Sequence, residues 1–96
     1  MGHARPRLQR LAEKLLQIRL ALGLSQTEML YRLGAEEDMT YHRISEYERG
    51  KNEPPLKIVL LYARAANVWA DVLIDDELDL PDHLPSRAKS GGVKRR

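Results

Sequence analysis

The chain has 96 residues, of which 43% are apolar and 31% charged, and its formal net charge is +2. This length and composition indicate one folded domain, and the absence of cysteine excludes disulfides and cysteine-based zinc sites. No apolar run approaches the roughly 20 residues that span a bilayer, so we expect no membrane contact and a cytoplasmic location.

Two helices are predicted in the first third of the chain. In residues 7–22, apolar side chains recur every three or four positions, which is the spacing of one helix face. Gly23 ends this helix, because glycine adopts the left-handed backbone of a helix stop at little cost. Ser25 and Glu28 have the spacing of a capping box, which predicts a second helix over residues 26–33.

An acidic turn separates the second helix from a third. The turn follows Gly34 and spans residues 35–39, and its three successive acids are expected to stay out of the core. Thr40 stands at the position of the next N-cap. The third helix is therefore predicted over residues 41–49, with Gly50 as its stop.

The fourth predicted helix, residues 56–66, is apolar on two sides, and a short fifth helix is predicted over residues 69–74. The expected core face consists of Leu56, Val59, Leu60 and Ala63, and a second stripe consists of Ile58, Leu61, Tyr62 and Ala65. A helix that is apolar all round is buried on both sides, so the second stripe indicates contact with another chain. The alternative is scattered exposed apolar residues, which are common.

The end of the chain changes in composition. Prolines, paired glycines and a run of bases predict a flexible tail over residues 79–96, after a domain that covers residues 1–78. Residues 71–82 hold six acids and no base, whereas residues 87–96 hold five bases and no acid. These blocks of charge indicate separate roles along the chain.

The capped helix pair and the sequence after it resemble the phage-repressor and Cro-type regulators, also called Xre-like helix-turn-helix proteins. The resemblance rests on residues 18–19 (IR), 23–26 (GLSQ), 33–34 (LG), 44–45 (IS), 47–51 (YERGK), 53–54 (EP) and 72–75 (VLID). It implies an all-α, five-helix repressor-like domain that binds double-stranded DNA with its third helix in the major groove. No cofactor is expected.

The resemblance also implies roles for individual residues. Groove-facing positions fall on Thr40, Tyr41, His42, Arg43 and Glu46, and phosphate-contacting positions fall on Gln26, Arg49, Lys51 and Asn52. Arg19 and Glu48 match a structural ion pair between the first and third helices. The turn of residues 35–38 adds about four residues to the family pattern.

Each groove-facing residue has a simpler alternative. Arg43 could fork onto guanine O6 and N7, or it could contact phosphate or solvent only. Tyr41 and His42 could contact bases or phosphates, or have no role. Glu46 could accept a hydrogen bond from cytosine N4, but a surface charge that repels phosphate is the favoured interpretation.

The sequence therefore predicts a sequence-specific DNA-binding transcriptional regulator, associated with the nucleoid and acting as a repressor and homodimer. The expected dimer interface consists of Ile58, Leu61, Tyr62, Trp69 and Val72. The alternative is a protein-interaction module, such as an antitoxin that binds a partner protein through its tail. An enzyme is not expected, since Ser25 and Thr40 serve as caps and no nucleophile and base can be assembled. Three scattered histidines give no metal site.

Overall fold

The computed structural model describes residues 8–85, and this part of the chain is entirely helical, with five helices and no strand. The helices are α1 (Leu11–Leu22), α2 (Gln26–Leu33), α3 (Tyr41–Glu48), α4 (Leu56–Ala66) and α5 (Ala70–Ile74). Helix α3 packs against α1 and α2, α4 packs against α1, α2 and α5, and α5 also contacts α1. The predicted all-α, five-helix fold is confirmed.

Local capping sets the bounds of α2. The Ser25 hydroxyl accepts from the Glu28 N–H at 3.0 Å, and the Glu28 carboxylate accepts from the Ser25 N–H at 2.8 Å. Gly34 ends the helix with φ at 72°, in the region that glycine adopts without strain. At α3 the expectation was only partly right, because Thr40 precedes the helix but its hydroxyl makes no capping hydrogen bond. It lies instead 3.4 Å from the His42 Nδ1.

The core face of α4 is only partly the one expected from the sequence. Ile58 is only 9% exposed and Tyr62 is fully buried, whereas Leu56 is 79% exposed and Leu60 39% exposed. The prediction that Ile58 and Tyr62 lie in a dimer interface is therefore wrong. Val59 and Ala63 are buried as expected, so the core face of α4 combines these two residues with Ile58 and Tyr62 and leaves Leu56 and Leu60 in solvent.

The packed domain continues past residue 78. Leu80 and Leu84 lie partly buried against the core, and the Asn67 side chain donates to the Pro85 carbonyl oxygen at 2.9 Å. The predicted start of a flexible tail at residue 79 is therefore too early, because these two leucines still find apolar surface to cover. Residues 86–96 of the predicted tail lie outside the described residues.

The start of α1 is capped by a residue from the far end of the domain. The two Asp76 carboxylate oxygens accept from the backbone N–H groups of Gln9 and Arg10 at 2.9 and 3.1 Å. The Arg10 guanidinium also donates to the carboxylate of Asp79 at 2.6 Å. α1 begins at Leu11 rather than at the predicted residue 7, and Asp76 holds the two residues that precede it.

Lys14 makes the reciprocal contact at the end of α5. This residue is fully buried, and its Nζ donates to the carbonyl oxygens of Val72 and Asp75 at 2.8 and 2.9 Å. Those carbonyls belong to the last turn of α5 and the residue after it, where a helix leaves acceptors unpaired. Burial lowers the pKa of Lys14, and the two carbonyls hold its ammonium group.

Replacing Asp76 by Asn tests the cap of α1. The backbone N–H of Gln9 is the main cause that lowers the pKa of Asp76 below its ordinary value of 3.8. The charge therefore stabilises the fold above the unfolded-state pKa, and this stabilisation is lost as the pH falls through the folded-state pKa. We expect Asp76→Asn to lower the urea midpoint near neutral pH, and the difference from wild type to shrink below about pH 4.

The matched control is Asp38→Asn, which removes an exposed acid from the turn between α2 and α3. We expect its urea midpoint to follow that of the wild type across the same pH range. A deficit of Asp76→Asn that stayed constant down to strong acid would contradict the charged cap.

Candidate nucleic-acid interface

The first turn of α3 presents three consecutive polar side chains to solvent. Tyr41, His42 and Arg43 are all exposed, while the next residue, Ile44, is fully buried and attaches the helix to the core. The rings of Tyr41 and His42 stack with their centroids 4.2 Å apart. This turn therefore offers a guanidinium and two ring edges side by side.

A buried ion pair fixes the other end of α3. Arg19 Nε and Nη2 donate to the two carboxylate oxygens of Glu48 at 2.6 and 3.0 Å, and the side chains are only 15% and 4% exposed. Arg19 Nη1 also donates to the Leu24 carbonyl oxygen at 3.0 Å. The hydrogen bond to Glu48 raises the pKa of Arg19, so the guanidinium stays charged. α1 and α3 are thereby held in one relative orientation.

Gln26 joins this pair to the start of α2. Its Nε2 donates to Glu48 Oε1 at 3.2 Å, and the residue is half-buried. Gln26 thus connects the start of α2 to the last residue of α3. The network of Arg19, Glu48 and Gln26 contacts the first three helices together.

The loop after α3 begins at a left-handed glycine. Gly50 has φ at 73°, and the Lys51 N–H donates to the Glu46 carbonyl oxygen at 2.9 Å. Arg49 folds back along the helix, where its Nε donates to the Ser45 hydroxyl at 3.1 Å. Lys51 and Asn52 are exposed at the end of α3, and Lys51 adds a positive charge there.

The acidic turn between α2 and α3 is anchored at both ends. Ala35 is buried, Met39 is half-buried, and the N–H groups of Asp38 and Met39 both donate to the Ala35 carbonyl oxygen. The Tyr47 hydroxyl lies 3.9 Å from the Met39 sulfur. The extra residues therefore expose their acids without separating α3 from the core.

A helix-turn-helix family model matches residues 15–68, more than half of the 96 residues. The chain belongs to the Xre/Cro-like helix-turn-helix family. This Xre/Cro-like protein is accordingly a DNA-binding transcription regulator, as its family is. No curated protein and no solved structure matches it.

The described helices of the Xre/Cro-like protein include none that is long and apolar enough to cross a membrane. The nine residues expected at the DNA surface fall into three places. Gln26 lies at the start of α2, the groove-facing set of Thr40, Tyr41, His42, Arg43 and Glu46 lies along α3, and Arg49, Lys51 and Asn52 lie at its end. The chain thus brings the candidate base contacts and three candidate phosphate contacts onto one helix and its following loop.

The sequence analysis did not predict the structural roles of two residues, Glu53 and Lys14. Glu53 accepts from the Leu8 N–H at 3.2 Å and ties the loop after α3 to the start of α1. Lys14 had a visible signal, because it lies on the apolar face of α1 between Leu11 and Leu15, where a solvated lysine is not expected.

Glu48→Ala should destabilise the Xre/Cro-like protein strongly. It leaves the Arg19 guanidinium largely buried without its counter-ion, which costs about 3–5 kcal/mol. Urea unfolding measures the loss, with Glu37→Ala in the exposed turn as a control that should stay within about 0.5 kcal/mol of wild type. Equal midpoints for Glu48→Ala and the wild type would show that the pair does not stabilise the fold.

Proposed function

We propose that this Xre/Cro-like protein is a sequence-specific transcriptional repressor that binds a two-fold operator as a dimer. The observation that supports this best is the arrangement of α3. Its first turn exposes Tyr41, His42 and Arg43, while Glu48 at its other end is fixed in a buried ion pair. A helix held at one end and polar at the other suits insertion of its N-terminal residues into the major groove.

Base contacts and phosphate contacts are divided along the helix. Arg43 forks onto guanine O6 and N7, because a guanidinium matches that pair of acceptors. Tyr41 and His42 contact neighbouring base edges from the same turn. Gln26, Arg49, Lys51 and Asn52 contact phosphates and set the position of the helix, without reading sequence themselves.

Repression follows from occlusion. In a dimer, two copies of α3 occupy successive major grooves about one helical turn apart. A protein bound in this way covers the operator and excludes polymerase from it. The regulatory outcome therefore depends on where the operator lies relative to a promoter.

Selection of bound duplexes from a random pool tests the function directly. We expect a two-fold consensus, an affinity on the order of nanomolar for it, and a steep loss of affinity as salt increases. A folded protein that binds no duplex even at low salt, yet co-purifies with a partner protein, would instead support the interaction-module alternative.

Replacing Arg43 and Lys51 separates base contacts from phosphate contacts. Arg43→Ala should cost roughly 1–3 kcal/mol on the best site and relax the preference at one base pair. Lys51→Ala should weaken all sequences alike and reduce the salt slope by about 1. Competition binding with single-substituted operators measures both. An equal loss for Arg43→Ala on every sequence would make Arg43 a phosphate contact.

The dimer surface lies on the solvent face of α4 and beside the start of α5. Leu56 and Leu60 are one helical turn apart and are 79% and 39% exposed, and Trp69 is 49% exposed. Leu61 and Val72 are half-buried and remain in the proposed interface. Ile58 and Tyr62 are not part of it, because they are buried in the core of the monomer. When a second copy covers tryptophan and leucine side chains of this kind, apolar surface leaves water and the free energy of association becomes more favourable.

Leu60→Glu should abolish the dimer and leave the monomer folded, because this side chain is already partly in solvent. Sedimentation with and without operator measures association, and circular dichroism checks the fold. Leu20→Glu on α1 is the matched control, since Leu20 is 61% exposed on another helix. A wild-type monomer that binds one half-site with undiminished affinity would contradict the dimer.

A further inference from the structure

Glu46 lies beside a candidate base contact and next to candidate phosphate contacts of the proposed DNA-binding surface. Its Oε1 accepts from the Asn52 Nδ2 at 2.8 Å, and the same oxygen lies 3.8 Å from Arg43 Nε. Its backbone carbonyl oxygen accepts from the Lys51 N–H at 2.9 Å. One residue in the middle of α3 therefore touches the candidate guanine contact and both candidate phosphate contacts of the following loop.

We propose that Glu46 is a positioning residue for DNA specificity, which orients Arg43 toward one base pair and couples it to the loop of Lys51 and Asn52. This inference rests on the proposed function, because it concerns how the same surface discriminates between DNA sequences. Glu46 acts through its neighbours, and the bases themselves are contacted by Arg43.

The geometry at Arg43 supports this role. The Arg43 side chain is 54% exposed, and a long exposed side chain samples many rotamers unless a partner restricts it. A carboxylate beside Nε restricts the chain at the base of its guanidinium. The Nη1 and Nη2 groups form the outer edge of the fork, and this edge matches guanine O6 and N7.

The geometry at Asn52 argues against direct base reading by Glu46. The oxygen nearest to Arg43 already accepts from the Asn52 amide, so turning the carboxylate toward cytosine would break this hydrogen bond. A purely repulsive surface charge would require neither contact. Glu46 could thus be a positioning residue, a direct base contact or a repulsive surface charge. These roles differ in the DNA sequences whose affinity changes when the charge is removed.

The experiment compares Glu46→Gln with Glu37→Gln in wild-type and Arg43→Ala backgrounds. Glutamine keeps an oxygen for Asn52 but removes the charge beside Arg43, whereas Glu37 is an exposed acid of the turn before α3 and controls for one lost charge. The probes are the selected operator and its complete set of single-base-pair substitutions. Affinities are measured at two salt concentrations, and unfolding midpoints verify that each variant is folded.

We expect both variants to bind non-specific duplex more tightly by a similar factor, because each loses one negative charge. Only Glu46→Gln should lower the discrimination at the base pair that Arg43 reads, by about threefold or more. This extra loss should disappear in the Arg43→Ala background, since there is then no guanidinium to orient. That pattern would support the positioning role.

Three other outcomes would overturn it. A uniform change for Glu46→Gln on all sequences, equal to that of Glu37→Gln, would make Glu46 a surface charge only. A loss of discrimination that persists with Arg43→Ala would make Glu46 a base contact. A wild-type protein that binds no duplex would remove the proposed function, and it is distinguished from the first two because no affinity can then be measured for any variant.

Discussion

The bidentate ion pair between Arg19 and Glu48 determines where α3 stands relative to the rest of the domain. Taking two charges out of water is costly, and the cost is offset only when the geometry is good and the remaining polar atoms are bonded. Here the guanidinium donates to both Glu48 oxygens and to the Leu24 carbonyl, and Gln26 donates to Glu48. The pair thus specifies one arrangement of three helices.

The core beneath the pair reinforces it. Tyr62 is fully buried, and burial raises the pKa of its hydroxyl, with the charge of Glu48 nearby as a further cause. The tyrosine therefore stays neutral, and its ring helps to exclude water from the ion pair. Because the attraction between opposite charges is stronger where water is excluded, the apolar packing of α4 and the orientation of α3 depend on each other.

The sequence was sufficient where structure is decided locally. The capping box of Ser25 and Glu28 and the stops at Gly23 and Gly34 involve residues a few positions apart, so spacing alone predicted them. The pairing of Arg19 with Glu48 came only from the family resemblance, because nothing local joins residues 29 positions apart.

The sequence was insufficient to predict contacts between segments that are far apart in the chain. Periodicity defines the faces of α4 but not which face packs against α1 and α2. Leu56 was therefore predicted in the core and Ile58 at the surface, and the structure shows the reverse. The sequence showed the acids after α5 only as part of an acidic block, yet Asp76 accepts from the backbone N–H groups just before α1. Lys14 could have signalled this arrangement, since a cation on an apolar face requires acceptors that another segment supplies.

The reciprocal contacts of Asp76 and Lys14 also constrain the order in which the domain forms. The backbone N–H of residue 10 donates to an acceptor that is synthesised 66 residues later in the chain. Contacts of such long sequence separation form only after the loop between them has closed. On the ribosome, α1 therefore gains this contact only after α5 has been synthesised. Truncation just before Asp76 would remove the acceptor of the Gln9 and Arg10 N–H groups, although α2 and α3 would lose no residue.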